Sequence, residues 1–236
     1  MKGMIRKCLL TIACGLMATT MAAQEQVETQ LSSDVVSTYV WRGQDLGNAS
    51  LQPTLGIAWK GLSLSAWGSV GIARAEDMKE LDLTLQYTTG GLTLGIVDYW
   101  NDTADKRYLY YQTHGTGHAF EGFVGYDFGP LSLSWQTIFA GNDGKNNQGN
   151  RAYSSYAELL VPFRLASCDW QATVGLTPYA TTLYGTTGFA VTNLSLRASK
   201  AVKLTDQFSL PLFAQLMANP CSGKLFFVFG ITISAD

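Results

Sequence analysis

The sequence predicts a closed antiparallel transmembrane β-barrel of about twelve strands, with short periplasmic turns and longer extracellular loops. Three observations lead to this all-β fold class: apolar and polar residues alternate along the chain, short connections alternate with long ones, and few residues are charged. Charged residues make up 14% of the sequence, against about 25% in a typical soluble domain. A barrel whose outer face meets lipid does not need charged side chains on that face.

The first 23 residues have the pattern of a secretory signal peptide. Lys2, Arg6 and Lys7 precede an apolar run at residues 8–18, and small residues follow before Gln24. The run is too short to cross a bilayer as a helix. We therefore expect cleavage after residue 23 and one barrel domain over residues 24–236, with a buried N-terminal helix as the alternative.

The charge of the expected mature chain excludes one class of partner. Three of the 16 basic residues and none of the 18 acidic residues lie in the signal segment, which leaves 13 against 18 and a formal net charge of −5. Nucleic-acid-binding proteins present basic surfaces, so nucleic acid is not an expected partner. The mature chain also has no second apolar run of helix-spanning length. It is therefore either soluble or crosses a membrane as strands.

Alternation with a period of two indicates strands with two different faces. The clearest example is LSLSWQT at residues 131–137, and residues 62–65 and 81–87 repeat the pattern. About twelve such segments are present, and single-chain bacterial barrels have an even number of strands. They are predicted at residues 27–43, 50–60, 62–73, 79–89, 92–100, 119–128, 131–140, 152–165, 169–180, 189–203, 208–218 and 224–234.

The connections between these segments alternate in length. Tight turns are predicted at residues 61, 90–91, 129–130, 166–168 and 204–207, and longer polar loops at 44–49, 74–78, 101–118, 141–151, 181–188 and 219–223. Short turns on one rim and longer loops on the other are typical of transmembrane barrels. We expect an integral outer-membrane protein surrounded by lipid, with both termini in the periplasm.

Residues 32–43 read SSDVVSTYVWRG, in which an aromatic residue is followed shortly by Arg-Gly. This segment resembles the opening strand of the TorF-type porins, a family of small Gram-negative outer-membrane barrels. Residues 66–69 resemble its third strand, residues 80–82 with Tyr87 its acidic fourth strand, and Glu121, Tyr126 and residues 131–134 its middle hairpin. The resemblance implies a closed barrel with a porin role, and it implies no substrate and no catalytic residue.

The C-terminal residues differ from the usual pattern of such barrels. An aromatic residue normally ends the last strand and is read by the barrel-assembly machinery, whereas this sequence ends Ile233-Ser234-Ala235-Asp236. The assembly machinery is still an expected partner, although its usual signal is absent from these four residues.

Charged residues that alternate with apolar ones are assigned to the lumen. A basic residue on the lipid face near the midplane would cost ~2–4 kcal/mol, which favours the inward assignment. A lumen with mixed charge suggests passive diffusion of small polar solutes, sorted by size and sign. The alternative is that the charges pair across a narrow lumen, leaving a filled, non-conducting barrel that serves as a structural or interaction scaffold. The candidates are Asp34, Arg42, Asp82, Glu121, Glu158, Arg164, Asp169 and Arg197.

The two histidines, His114 and His118, are weak candidates for a metal site. On a helix their spacing would place both imidazoles on one face for zinc, but Gly115 and Gly117 intervene and the segment has no helical pattern. We interpret both as polar loop residues and expect no metal and no cofactor. An outer-membrane hydrolase with a rim Ser and His is a further alternative, but no nucleophile motif is present, so we do not predict an enzyme.

Two cysteines, Cys168 and Cys221, remain after the expected cleavage. The oxidising compartment favours a disulfide between them, but the pattern places Cys168 in a short turn and Cys221 in a loop of the opposite rim. The rims are separated by an apolar band ~25 Å tall, whereas a disulfide needs Cα atoms within about 7 Å. We therefore predict free thiols or intermolecular pairing, which mass spectrometry after thiol labelling would distinguish from an internal bridge.

Overall fold

The computed structural model describes residues 27–74, 76–103, 107–112, 115–205 and 209–234. Fourteen strands form within these ranges, and the signal peptide predicted at residues 1–23 lies outside them. None of the described segments is a helix long and apolar enough to span a membrane. The strands are β1 (Glu28–Val36), β2 (Tyr39–Trp41), β3 (Gln44–Gly47), β4 (Ser50–Trp59), β5 (Leu62–Gly71), β6 (Glu80–Thr89), β7 (Leu92–Asn101), β8 (His118–Asp127), β9 (Ser132–Gly141), β10 (Ser155–Leu165), β11 (Cys168–Thr177), β12 (Ala190–Lys203), β13 (Ser209–Asn219) and β14 (Lys224–Ser234).

Twelve of these strands form a closed antiparallel barrel. From β4 to β14 each strand pairs with the next in the chain, and β1 closes the ring by pairing with both β14 and β4. The remaining two strands, β2 and β3, pair only with each other. The predicted fold class and strand number are therefore confirmed. Closure leaves the barrel wall without an unpaired edge.

The strand register separates an apolar outer face from a polar inner face. Trp67 pairs with Asp82, which in turn pairs with Tyr99, so these three side chains lie side by side on the inner face. On each of the three strands, the residues directly before and after the inward-facing one point outward, because successive side chains of a strand alternate. Large apolar side chains are exposed there, as on the lipid-facing surface of transmembrane barrels. They include Leu55, Ile57, Leu64, Leu85, Leu94, Ile96, Leu133, Leu216, Phe227 and Phe229.

The connections form two unlike rims. The rim with connections 60–61, 90–91, 128–131, 166–167 and 204–208 is here called the short-turn rim. The opposite rim, here called the loop rim, carries connections 37–49, 72–79, 102–117, 142–154, 178–189 and 220–223. Lys60 and Gly61 both have positive φ, 50° and 85°, as in a type I′ turn, which matches the twist of the flanking strands.

The first predicted strand differs from the structure. The sequence pattern predicts one strand over residues 27–43, but β1 ends at Val36, and residues 38–47 form a hairpin of β2 and β3 inside the barrel. This segment is here called the lumen hairpin. Apolar and polar residues continue to alternate beyond β1 because β2 is itself a strand. Arg42 and Gly43, with φ of 49° and 80°, reverse the chain, so the polar loop predicted at 44–49 is largely the return strand.

The two cysteines lie on opposite rims. Cys168 begins β11 at the short-turn rim, and Cys221 lies in the connection 220–223 at the loop rim. Both are free thiols in the structure. Three strands, β11, β12 and β13, separate the two cysteines, as the sequence pattern predicts.

Candidate functional site

The tip of the lumen hairpin is a two-residue turn seated against the barrel wall. Trp41 pairs with Gln44, so Arg42 and Gly43 form the turn, both in the left-handed region. A Cβ atom added to Gly43 would lie 1.9 Å from the carbonyl oxygen of Thr192 in β12. The Asn219 amide donates a hydrogen bond of 3.0 Å to the Gly43 carbonyl. Only glycine fits this contact, and the tip is held against β12 and β13.

The Arg42 side chain binds a carboxylate on β8, on the far side of the lumen from the strands that flank the hairpin. Its Nη1 and Nη2 donate to the two Glu121 carboxylate oxygens, each over 2.7 Å. Nη1 also donates to the Tyr184 hydroxyl at 2.6 Å, and the Tyr99 hydroxyl donates to Glu121 at 2.9 Å. Arg42 is 8% exposed and Glu121 0% exposed. The result is a buried, two-pronged ion pair of the strong, charge-assisted kind.

Aromatic rings enclose the same guanidinium group. The Arg42 Cζ atom lies 4.4 Å from the centre of the Trp41 ring and 4.7 Å from the centre of the Tyr156 ring, which are distances of cation–π contact. The Tyr184 ring stacks on Trp41 with centroids 5.8 Å apart. We call the wall and loop residues that surround the Arg42 group the guanidinium site; they are Glu121, Tyr99, Tyr156 and Tyr184.

A second set of contacts holds the base of the hairpin. The Tyr39 hydroxyl donates to Glu80 Oε2 at 2.9 Å, and the Tyr39 ring lies against Trp67 with centroids 5.5 Å apart. Thr38 donates to the Gly47 carbonyl at 2.8 Å, across the hairpin. The hairpin is thus fastened at its base to β5 and β6 and at its tip to β8, β12 and β13. It crosses the lumen between these anchors.

The eight predicted lumen residues fall into two groups. Six are in the lumen; of these, Arg42 and Glu121 pair directly, and Asp82 is buried beside Trp67. The rest of the six are placed as follows: Asp34 accepts from Thr232, Glu158 accepts from Tyr156, and the Arg197 guanidinium lies 3.6 Å from the Phe213 ring centre.

Arg164 and Asp169 form the second group. Both have the inward register, but they pair at the short-turn rim, 3.5 Å apart, with side chains 70% and 61% exposed. They therefore lie at the mouth of the barrel and away from the hairpin. Exposed pairs of this kind contribute little to stability.

Exposure of the inner face changes along the barrel. On β5, Ser63 and Ser65 are half-buried, whereas Ser69, nearer the loop rim, is buried. On β6, Gln86 is half-buried and Asp82 is buried. These three polar side chains nearer the short-turn rim are therefore more exposed than Ser69 and Asp82, whereas Thr93 and Ser132 at the same rim are buried. Near the loop rim, the lumen hairpin and the loop that carries Tyr184 cover the inner face.

His118 occupies a different environment from the one that the sequence predicts. It is the first residue of β8 and faces outward, on the opposite face to Glu121. Its Nδ1 lies 2.8 Å from Asp98 Oδ1, and its Nε2 is bonded to the Tyr108 carbonyl. The Tyr111 ring stacks over it at 4.1 Å. We call Asp98 and His118 the outer-wall pair. Tyr108 and Tyr111, from the connection 102–117, cover this pair.

Of the two weak candidates for a metal site, His118 alone lies among the described residues. His114 lies outside the described residues. Among those residues, no three His, Cys, Asp or Glu side chains are grouped so as to hold a metal ion. Both His118 ring nitrogens are already engaged by oxygen atoms.

Sequence reasoning missed the three tyrosines of the guanidinium site. Tyr99 and Tyr156 share the inward register of Asp82 and Glu158, so alternation could have placed them in the lumen. Tyr184 lies in a loop, where side-chain direction has no period, so no sequence signal could have indicated that it turns inward.

Comparisons with known proteins give likenesses to solved structures alone. No family model matches the chain, and no curated protein matches it. Solved structures that match include OmpF of Salmonella typhi in complex with daunomycin, with a TM-score of 0.38 and 9% sequence identity. That match covers 89% of this chain and 97% of the OmpF chain. A likeness at this level does not indicate what passes through or binds to this barrel.

Proposed function

We propose that this chain is an outer-membrane channel of a Gram-negative bacterium for passive diffusion of small polar solutes, closed at rest by the lumen hairpin. The loop rim would face the exterior, and the short-turn rim with both termini would face the periplasm. The TorF-type resemblance belongs to the same proposal, since its most specific segment, residues 32–43, includes the first half of the hairpin.

The observation that carries this proposal is the contrast along the inner face. Towards the short-turn rim it carries polar side chains that are only half-buried, namely Ser63, Ser65, Thr84, Gln86 and Ser134. A barrel built to be filled would gain more from apolar side chains packed at these positions. The hairpin is the element that separates this polar lumen from the loop rim.

The polar contacts of the hairpin are of a kind that water can replace. Arg42, Glu121 and Tyr39 are held by ion pairing and hydrogen bonds. When such groups separate into water, solvation offsets most of the lost contact energy. These polar contacts therefore oppose opening less than apolar contacts would, and the remaining resistance comes from the packing of Tyr39 on Trp67 and of Trp41 on Tyr184.

A filled scaffold is the second candidate, and the same ion pair favours it. Arg42 and Glu121 are buried with two tyrosines, and separation of a buried pair without hydration is expensive. A hydrolase finds less support. His118 is fully buried, and its two ring nitrogens are bonded to Asp98 and Tyr108, so neither is positioned to act as a base.

Planar-bilayer conductance of the purified barrel tests the proposal. We expect brief, infrequent openings of the wild-type chain and a roughly tenfold or larger rise in open fraction for Glu121→Gln, because a charged hydrogen bond contributes ~1.5–3 kcal/mol. Asp98→Asn, which removes a charge from the outer wall, is the matched control and should leave the open fraction unchanged. Silence of wild type and Glu121→Gln at high protein load would favour the filled scaffold.

A further inference from the structure

The part of the guanidinium site that belongs to the barrel stays in place when the hairpin tip is removed. Glu121 lies on β8, Tyr99 on β7 and Tyr156 on β10, so their positions are set by strand pairing. Tyr184 comes from the loop-rim connection 178–189. All four are buried, with exposed fractions from 0% to 9%. Without Arg42, this wall would hold a carboxylate with no positive partner at hydrogen-bond distance.

The geometry of the site discriminates among cations. The two Glu121 oxygens receive two parallel N–H bonds of 2.7 Å, a pattern that a planar guanidinium can match and a spherical ion cannot. The Tyr184 oxygen accepts a third N–H, and the Tyr156 ring lies 4.7 Å from the guanidinium carbon. The set of groups combines charge, direction and an aromatic face: the charge attracts any monovalent cation, and the directed acceptors with the stacked ring favour planar guanidinium over potassium or sodium.

We propose that the lumen wall contains a binding site for small guanidinium compounds, which the chain's own Arg42 occupies in the closed barrel. A solute that carries a guanidinium group would compete with Arg42 for Glu121 and so favour displacement of the hairpin. The role of such solutes in opening rests on the proposed function, because it requires that the hairpin can leave the lumen. The binding site itself depends only on the wall.

Arg42→Ala with added ethylguanidinium tests the site directly. The substitution removes the six side-chain atoms beyond Cβ, and ethylguanidinium has the same six heavy atoms. Thermal unfolding of the detergent-solubilised full chain is measured with increasing ethylguanidinium, and ethylurea serves as the neutral planar control. We expect a saturable rise in the unfolding temperature with half-saturation at about 1 mM, a reasonable affinity for six atoms. Wild type, whose site is filled, should show no saturable rise.

The double variant Arg42→Ala/Glu121→Gln keeps the space left by the Arg42 side chain but removes the carboxylate. We expect the ethylguanidinium concentration at half-saturation to rise at least tenfold in this variant. Equal responses in wild type or in the double variant, or an equal response to ethylurea, would overturn the proposal. Should Arg42→Ala be recovered folded only when ethylguanidinium is present, the site is supported. Should it not fold with either additive, Arg42→Gln takes its place in the titration, and absence of a saturable response there counts against the site.

Conductance of the same variant separates this proposal from the proposed function. If Arg42→Ala conducts, ethylguanidinium but not ethylurea should reduce its current, because the ligand refills the lumen. Stabilisation by ethylguanidinium in a barrel that stays silent would support the site and count against the channel. Conductance that ethylguanidinium does not alter, together with no stabilisation, would support the channel and refute the site.

Discussion

Two side-chain pairs in the described part of the chain, Arg42–Glu121 in the lumen and Asp98–His118 on the outer wall, differ in what holds the partners together. Arg42 and Glu121 are 79 residues apart, and Arg42 lies on a hairpin outside the barrel sheet. Asp98 and His118 are 20 residues apart, on the neighbouring strands β7 and β8. Movement of the hairpin separates the first pair and leaves every barrel strand in place. The second pair is held by the sheet itself.

The lumen pair has polar surroundings, whereas the outer-wall pair has apolar ones. The lumen pair is surrounded by tyrosine hydroxyls and lies next to a polar interior, so its groups have water to enter when they separate. The outer-wall pair is covered by Tyr108 and Tyr111 and lies beside Phe120, which in turn contacts the exposed Phe139. Separation there would leave charges against an apolar surface. One pair therefore suits a switch and the other suits a fixed anchor for the connection 102–117.

The largest effect is expected from Glu121→Ala. It leaves the Arg42 guanidinium buried without its carboxylate, and loss of one partner of a buried pair costs about 3–5 kcal/mol. Urea unfolding of the barrel in detergent should show this loss. The double variant Arg42→Ala/Glu121→Ala should recover much of it, because no charge is then left unpaired. If the stability loss of the double variant relative to wild type equals the sum of the two single losses, the two residues are not coupled.

Gly43→Ala should displace the hairpin tip and leave the ion-pairing groups intact. The new Cβ would approach the Thr192 carbonyl within 1.9 Å, and the residue has a φ of 80°. We expect a loss of roughly 2 kcal/mol, part of it from the left-handed conformation alone. Gly90→Ala is the matched control, since Gly90 also has positive φ but no atom near its added Cβ. A loss no larger than that of Gly90→Ala would show that the tip does not depend on this contact.

A smaller effect is expected from Asp98→Asn on the outer wall. The amide preserves the shape of the side chain but removes its charge beside His118, which should cost about 1–2 kcal/mol. The connection 102–117 should loosen, and limited trypsin digestion at Arg107 should become faster than in wild type. The open fraction of the channel should not change. Cleavage at the wild-type rate would show that the covering aromatic residues, rather than the ion pair, anchor this connection.

The smallest effect concerns the tyrosine that covers His118. Burial, assisted by a hydrogen bond with Tyr111, raises the pKa of Tyr108 to about 12, against 10.0 for a free phenol. The neutral phenol is thus favoured in the folded loop, so its contribution to stability is complete below pH 10 and is lost as the pH rises through about 12. Ultraviolet titration of tyrosinate, with Tyr108→Phe as reference, measures this step. A Tyr108 step at the ordinary tyrosine pKa would show that the loop is not packed over the wall.

Regular alternation explains why the barrel could be predicted and the hairpin could not. A strand in the wall and a strand folded into the lumen have the same period of two, so residues 27–43 read as one segment although β1 ends at Val36. Arg42 was placed in the lumen by its position in that supposed strand. It does lie there, but it reaches the lumen through the turn of the hairpin. The usual two-residue hairpin signals have Asn, Asp or Gly before Gly, so Arg42-Gly43 did not mark the turn.

The sequence by itself determined the closed barrel, its twelve strands, the unlike rims and the inner face of the lumen residues, because these follow from local alternation and connection length. Only the tertiary structure decided which charges meet. Arg42 and Glu121 come from segments 79 residues apart, and Tyr184 joins them from a loop after a further 63 positions. Such contacts depend on how the ring of strands closes and on where the hairpin turns. A period along one strand carries no information about the distance across the lumen.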